Sequence, residues 1–121
     1  MADPLKRLQT DDALASLLTC WELLRTKHRE IPAQAVTVLL YVASHNPCHK
    51  QAIEEDLNLT TASCSRMIDT ISDGNGRSRV QTPGLGLVTK SSDPGNGRRI
   101  MLCLTSNGEE LVHQIKSILY G

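Results

Sequence analysis

The sequence predicts a mainly α-helical fold carrying a small β wing. Apolar residues recur at helical spacing in five separate stretches, and two short β-like runs flank one turn rich in Gly and Pro. The aromatic fraction is only 2%, with no Phe, so the core must be built from Leu, Ile, Val and Ala. That composition suits packed helices better than a β sandwich. At 121 residues the expectation is one domain spanning 1–121 around one modest core.

Asp3-Pro4 fits a helix start, with Asp as N-cap and Pro at the first helical position. From there Leu5, Leu8, Leu14, Leu17, Leu18, Trp21 and Leu24 keep helical spacing as far as Lys27. So long an apolar stripe is hard to bury in a small domain, and it is expected to meet a partner, most simply a second copy of the chain. "EIPAQAVTVLLYVASH" opens a second helix, with Pro32 in its first turn. It is apolar nearly all round (Val36, Val38, Leu39, Leu40, Val42), as a central core helix should be, and "NPC" ends it. A short third helix over 49–57 turns Ala52, Ile53 and Leu57 inward and Lys50, Gln51, Glu54 and Glu55 outward. "NLTT" is a tight turn in which Thr60 or Thr61 caps the next helix.

That fourth helix, "ASCSRMIDTI", sets Cys64, Met67, Ile68 and Ile71 at i, i+3, i+4 and i+7, one buried stripe. Its other face shows Ala62, Ser63, Arg66, Asp69 and Thr70, with Ser65 at the flank. A Gly-, Ser- and Pro-containing loop then runs to Gly86. "LVTK" (87–90) and "RRIMLCLT" (98–105) form a hairpin through "SSDPGNG". A last helix starts at Thr105 or Ser106, where Ser106 and Glu109 fit a capping box, and buries Leu111, Val112, Ile115, Ile118 and Leu119. The order is α-α-α-α-β-β-α, a winged helix-turn-helix. Short outer side chains would let the fourth helix sink into a DNA major groove, where Arg66 reaches a guanine edge or a phosphate.

Net charge is zero, which first argues against nucleic acid, but the charges are unevenly spread. Residues 61–105 carry six basic side chains (Arg66, Arg77, Arg79, Lys90, Arg98, Arg99) against three acidic ones (Asp69, Asp73, Asp93). Phosphates respond to such a local surface, because charges are felt over roughly 8–10 Å in physiological salt.

The same residues resemble the MarR family of winged-helix transcription regulators. The resemblance covers residues 32–119 and lies in "KQAIEEDLNLTTASCSRMIDTI" and "GLGLVTKSSDPGNGRRIMLCLTSNGEEL". The family's recognition-helix pattern is met by Ser63, Ser65, Arg66, Ile68 and Asp69. Its wing pattern is met by Gly86-Leu87-Val88, Asp93, Arg98-Arg99 and Leu104-Thr105 with Gly108. The resemblance implies a homodimer on a pseudo-palindromic double-stranded operator. Recognition helices would lie in successive major grooves, with wing arginines in the flanking minor groove and the N- and C-terminal helices as the dimer interface. Three features depart from the pattern. "SDGNGRSRVQTPGL" is longer than the family's usual link and brings Arg77 and Arg79 near the expected DNA surface. The wing lacks an early arginine. The final helix is short, which weakens the dimer clasp.

No catalytic arrangement is present: "DGNGRS" and "DPGNGRR" lack the Lys-Ser/Thr of a phosphate loop, and no nucleophile elbow accompanies Ser63. Cys20, Cys48, Cys64 and Cys103 form no CxxC pair and fit small buried hydrophobes. "HNPCH" brings His45, Cys48 and His49 close in sequence, but a turn with incidental ligands is the preferred reading over a metal site. No cofactor, metal or membrane segment is expected, and no effector is assigned. With no secretory leader, the expected compartment is a bacterial-type cytoplasm, or the host's for a phage- or plasmid-encoded protein.

The expected DNA contacts are therefore Thr60, Thr61, Ser63, Ser65, Arg66 and Thr70 around the recognition helix. Lys90, Arg98 and Arg99 serve the wing, and Lys50 and Gln51 serve phosphates. Asp69 is expected to orient Arg98 or Arg99. The expected dimer contacts are Leu5, Leu8, Leu14, Leu17, Trp21, Ile115 and Leu119. The rival readings are a phage or plasmid replication or partition factor using the same fold on repeated sites, and a winged helix turned to protein–protein contact.

Overall fold

The structure, a computed structural model, describes residues 11–75 and 82–121. Leu5, Leu8, Arg77, Arg79 and the Asp3-Pro4 helix start lie outside the described residues. Helix α1 spans Asp12–Lys27, α2 Ala33–Ser44, α3 Lys50–Leu57, α4 Thr61–Ile71 and α5 Ser106–Tyr120. Strands are β1 (Cys48–His49), β2 (Gly74–Asn75), β3 (Thr82–Pro83), β4 (Val88–Asp93) and β5 (Asn96–Leu104).

The chain at Asp11 is extended (φ −94°, ψ 111°), and its carboxylate accepts from the Leu14 N–H at 3.0 Å. A helix running unbroken from Asp3 is therefore excluded; α1 has its own cap at Asp11. Asp12 in its first turn and Arg25 and Lys27 in its last complement the helix dipole. Pro32 is the residue before α2 rather than within it, with φ −64° and ψ 141°. Helix α2 fills the centre of the molecule through Ala35, Val36, Val38, Leu39 and Val42. Leu40 alone of its expected core residues faces outward.

Two residues suffice to bring α3 against the wing. β1 pairs antiparallel with β5 (Cys48↔Leu102, His49↔Met101), and β5 pairs with β4 from Val88↔Leu104 outward. The result is a three-stranded sheet in the order β1-β5-β4. The wing strands are longer than the sequence suggested, and their turn shrinks to Pro94-Gly95. The long link after α4 is closed on itself: β2 and β3 pair Gly74↔Pro83 and Asn75↔Thr82. Leu85, Gly86 and Leu87 then donate back to Thr70, Ser72 and Ile71 carbonyls at 2.7–2.9 Å. The insertion thus leaves and rejoins the fold at the end of α4, and the wing keeps its place. Gly86 sits at φ +68°, where a Cβ would be strained.

Helix α5 is capped by Thr105, whose hydroxyl oxygen accepts from the Gly108 N–H at 3.0 Å. The expected Ser106–Glu109 capping box is thus replaced by a cap one residue earlier. Thr105 is held there because its hydroxyl also donates to the Gly86 carbonyl at 2.6 Å. Leu111 and Ile115 of α5 turn inward, and the Cys20 thiol of α1 lies 3.8 Å from the Ile115 carbonyl. Ile115 is therefore largely buried within its own chain, whereas Leu119, the other α5 residue of the expected dimer set, is exposed. Leu24 likewise joins the core while Leu14, Leu17, Leu18 and Trp21 remain exposed.

Candidate nucleic-acid interface

Helix α4 is positioned by its buried side. Cys64, Ile68 and Ile71 are buried, with Met67 half-buried beside them. Thr60 caps the helix by accepting from the Ser63 N–H at 3.0 Å. Its preceding turn is set by Asn58, which adopts the left-handed conformation (φ 54°, ψ 50°) that Asn tolerates. The chain then reverses so that α3 and α4 cross as a helix-turn-helix. From α2, the Tyr41 hydroxyl donates to Asp56 at 2.5 Å and its ring stacks on His45, with centroids 4.2 Å apart. Holding that proton against Asp56 pushes the Tyr41 pKa up to about 12. This link between α2 and α3 was not foreseen; no local pattern signals a pair fifteen residues apart.

The outward face of α4 carries exposed Ala62 and Arg66 and half-buried Ser63, Ser65, Asp69 and Thr70. The Arg66 guanidinium donates to the Ser63 hydroxyl at 3.2 Å, and the Thr70 hydroxyl donates to the Arg66 carbonyl at 3.0 Å. Arg66 therefore lies along the helix one turn from Ser63, beside the small side chains of Ala62 and Ser63. Asp69 takes Lys90 of β4 as its salt-bridge partner at 3.1 Å. The expected partner was Arg98 or Arg99 of β5; the partner met is Lys90 of β4. The pair fastens wing to helix and keeps the Lys90 charge partly neutralised.

Two expected contacts change role. The Lys50 side chain is only 11% exposed and forms a salt bridge with Glu54 one turn on; its ammonium also donates to the Thr61 carbonyl at 3.4 Å. The Thr61 hydroxyl donates to Glu54 at 3.0 Å. Lys50 and Thr61 thus form a strut between α3 and α4, and the phosphate role expected of Lys50 does not fit its burial. Gln51 is exposed, its amide donating to Glu55 at 3.3 Å. Thr60 is committed through its oxygen to the cap.

The strut makes a pH prediction. The Lys50 hydrogen bond, with a further one from Thr61, holds the Glu54 pKa below its ordinary 4.5. A depressed carboxylate contributes stability that is present above its ordinary value and lost as pH falls through its folded value. Acid unfolding followed by circular dichroism should therefore steepen below pH 4.5 in the wild type. Glu54→Gln should cost about 1–2 kcal/mol at neutral pH and lack that acid component.

At the wing, the Asp93 carboxylate accepts from the Gly95 N–H at 2.8 Å and lies 2.9 Å from His49 Nε2. The Gly95 N–H first, and His49 second, hold the Asp93 pKa below its ordinary value. His49 thus ties the start of α3 to the wing turn. His45, by contrast, stacks on Tyr41, so "HNPCH" is drawn in two directions. Among the described residues no group of three His, Cys, Asp or Glu side chains is placed to hold a metal ion. All four cysteines are free; burial pushes Cys48 up to about 11 and Cys64 upward, which leaves little thiolate. Arg98 and Arg99 are exposed on β5. No described helix is long and apolar enough to cross a membrane.

A braced helix-turn-helix beside a two-stranded wing defines a winged-helix fold, and solved structures share it. A mutant MarR from E. coli complexed with operator DNA is similar at TM-score 0.60 and 16% identity, covering 88% of this chain and 70% of that one. The transcriptional regulator Tm0710 from Thermotoga maritima is similar at TM-score 0.67 and 16% identity, over 96% of this chain and 72% of that one. The PcaV transcriptional regulator from Streptomyces coelicolor is similar at TM-score 0.57 and 20% identity, over 88% and 71%. No family model and no curated protein matches the sequence. The fold expected from the MarR resemblance is the fold observed.

Proposed function

We propose that this chain is a sequence-specific, double-stranded DNA-binding transcription regulator, most simply a repressor that blocks promoter access. The observation that carries the reading is the outer face of α4: Ala62, Ser63 and Arg66 stand on a capped helix whose other side is wholly committed to the core. Such a surface can enter a major groove without steric hindrance, and Arg66 is its longest side chain. Ser63 and Ser65 supply hydroxyls at the same level. Lys90, Arg98 and Arg99 supply charge from the wing.

The protein acts as a homodimer of one-domain chains on a pseudo-palindromic operator. Leu14, Leu17, Leu18 and Trp21 give α1 an apolar face that is exposed among the described residues, and Leu119 and Tyr120 of α5 are exposed as well. The similar fold of the E. coli MarR mutant complexed with operator DNA supports the same assignment. A bacterial-type cytoplasm is the compartment in which such a protein works.

Titrating the protein with random-sequence duplex at rising salt tests the reading. Each phosphate neutralised should add about 0.9 to the slope of log affinity against log salt. Affinity independent of salt would instead favour a protein-contact module.

A further inference from the structure

We propose that His49 and Asp93 form a proton-controlled latch that holds the wing against the helix-turn-helix. Strand β1 ends at His49, which is also the N-cap residue of α3, and Asp93 is the last residue of β4. In the sheet order β1-β5-β4 these two strands are not neighbours, so a bond between them must cross β5. His49 Nε2 lies 2.9 Å from Asp93 Oδ2, a contact between residues 44 apart in the chain. The other carboxylate oxygen, Oδ1, accepts the Gly95 N–H at 2.8 Å and so sets the wing turn. One aspartate thus joins the turn of the wing to the start of α3.

Backbone pairing alone does not make that connection. β1 meets β5 at Cys48↔Leu102 and His49↔Met101, and the outer wing runs beyond both positions. Nearer its base, Lys90 of β4 ties the wing to Asp69 of α4. Histidine, unlike the partners in that pair, is the side-chain type that changes charge between about pH 5 and 8. The side chains of His49 and Asp93 are 34% and 17% exposed, so water can exchange the imidazole proton while the contact stays partly shielded.

The Gly95 N–H first, and then His49, hold the Asp93 carboxyl below its ordinary 3.8, so it is charged across that range. A protonated His49 makes an ion pair with it. The neutral ring keeps at most an uncharged hydrogen bond from Nε2, and in its other tautomer two acceptors face each other. The remaining charges around His49 are of both signs: Lys50, Glu54 and Glu55 of α3, and Arg98 and Arg99 of β5. Lys50 and Glu54 are paired with each other, and the ion-pair partner of His49 among the described residues is Asp93. The latch is therefore closed when His49 is protonated and slackens as pH rises. Its consequence for DNA rests on the regulator reading above: a wing held in place beforehand costs less to order on binding, so affinity should be higher at low pH.

The test follows the Gly95 amide of wild type, His49→Gln and Asp93→Asn by NMR between about pH 5 and 8. The affinity of each protein for one duplex is measured across the same range at constant ionic strength. Gln keeps a donor but has no proton to lose, and Asn keeps an oxygen for the Gly95 N–H, so both variants should fold. The Gly95 resonance should titrate in wild type and stay still in both variants. Wild-type affinity should fall with rising pH by roughly two- to fivefold more than that of either variant. His28, His45 and His113 are present in all three proteins, so their effects cancel. The latch is overturned if the wild-type Gly95 amide does not move, or moves equally in both variants. If Asp93→Asn keeps the full change in affinity while His49→Gln loses it, the His49 charge acts on DNA directly and control by the latch is overturned. Should wild type bind no DNA, the regulator reading fails, and the Gly95 titration alone decides the latch.

Discussion

Replacing Gly108 by Ala is expected to cost about 3 kcal/mol, a fall in Tm of roughly 10–15 °C. Gly108 is buried in the first turn of α5, and a Cβ there would stand 2.0 Å from the Leu87 carbonyl oxygen and 3.2 Å from Leu104 Cδ2. That obstacle is backbone and cannot swing aside. The Leu87 carbonyl also accepts the Thr105 N–H at 3.0 Å, so moving it loosens the junction that holds α5 against the wing. Gly97 provides the control: a Cβ there meets nothing within 4 Å, and Gly97→Ala should change stability by less than about 0.5 kcal/mol. Thermal unfolding of the two variants side by side checks the prediction. Equal Tm values would mean that α5 does not pack on Leu87 as described.

The second large effect is expected on α1. Leu17 is 53% exposed in the single chain, between Leu14, Leu18 and Trp21. If a second copy covers this face, Leu17→Glu buries two carboxylates without partners, one from each subunit. Uncompensated buried charge costs several kcal/mol, so the dimer dissociation constant should rise by about a hundredfold or more. The monomer should keep its helical circular dichroism, since Leu17 supports little of its own core. Sedimentation velocity over a concentration series reads the shift. A wild type that stays monomeric throughout would remove the homodimer from the account.

What could be read from the sequence follows from the range of each interaction. The stripe Cys64, Met67, Ile68 and Ile71 is local and periodic, so α4 and its outer face were legible. So was the wing, because "DPG" can only turn between two β-like runs. The apolar residues of α1 were visible too, but they form two stripes. Periodicity alone does not say that Cys20 and Leu24 go inside while Leu17 and Trp21 stay out; the position of α5 decides it. Ile115 and Leu119 are one turn apart on α5, yet the first meets Cys20 and the second passes beyond the core. Lys50 and Glu54 look like an ordinary exposed i, i+4 pair, and only the approach of Thr61 buries them. Strand β1 has no signal of its own, since "CH" becomes a strand through β5 alone. Charge alone suits Asp69 to any nearby cation, and only the three-dimensional arrangement selects Lys90, twenty-one residues away, over Arg98 and Arg99.

The most direct measurement on the central claim is selection from a random duplex pool by wild type and Arg66→Ala, each at low and physiological salt, followed by sequencing. Wild type should enrich a pseudo-palindrome with half-sites about 10 base pairs apart. Arg66→Ala should still bind in a salt-dependent way but lose preference at one position in each half-site, a discrimination of about 1–3 kcal/mol. Enrichment of the same sequence by both proteins would show that α4 is not the reading element. Absence of any salt-dependent binding by wild type would contradict the DNA-binding account as a whole.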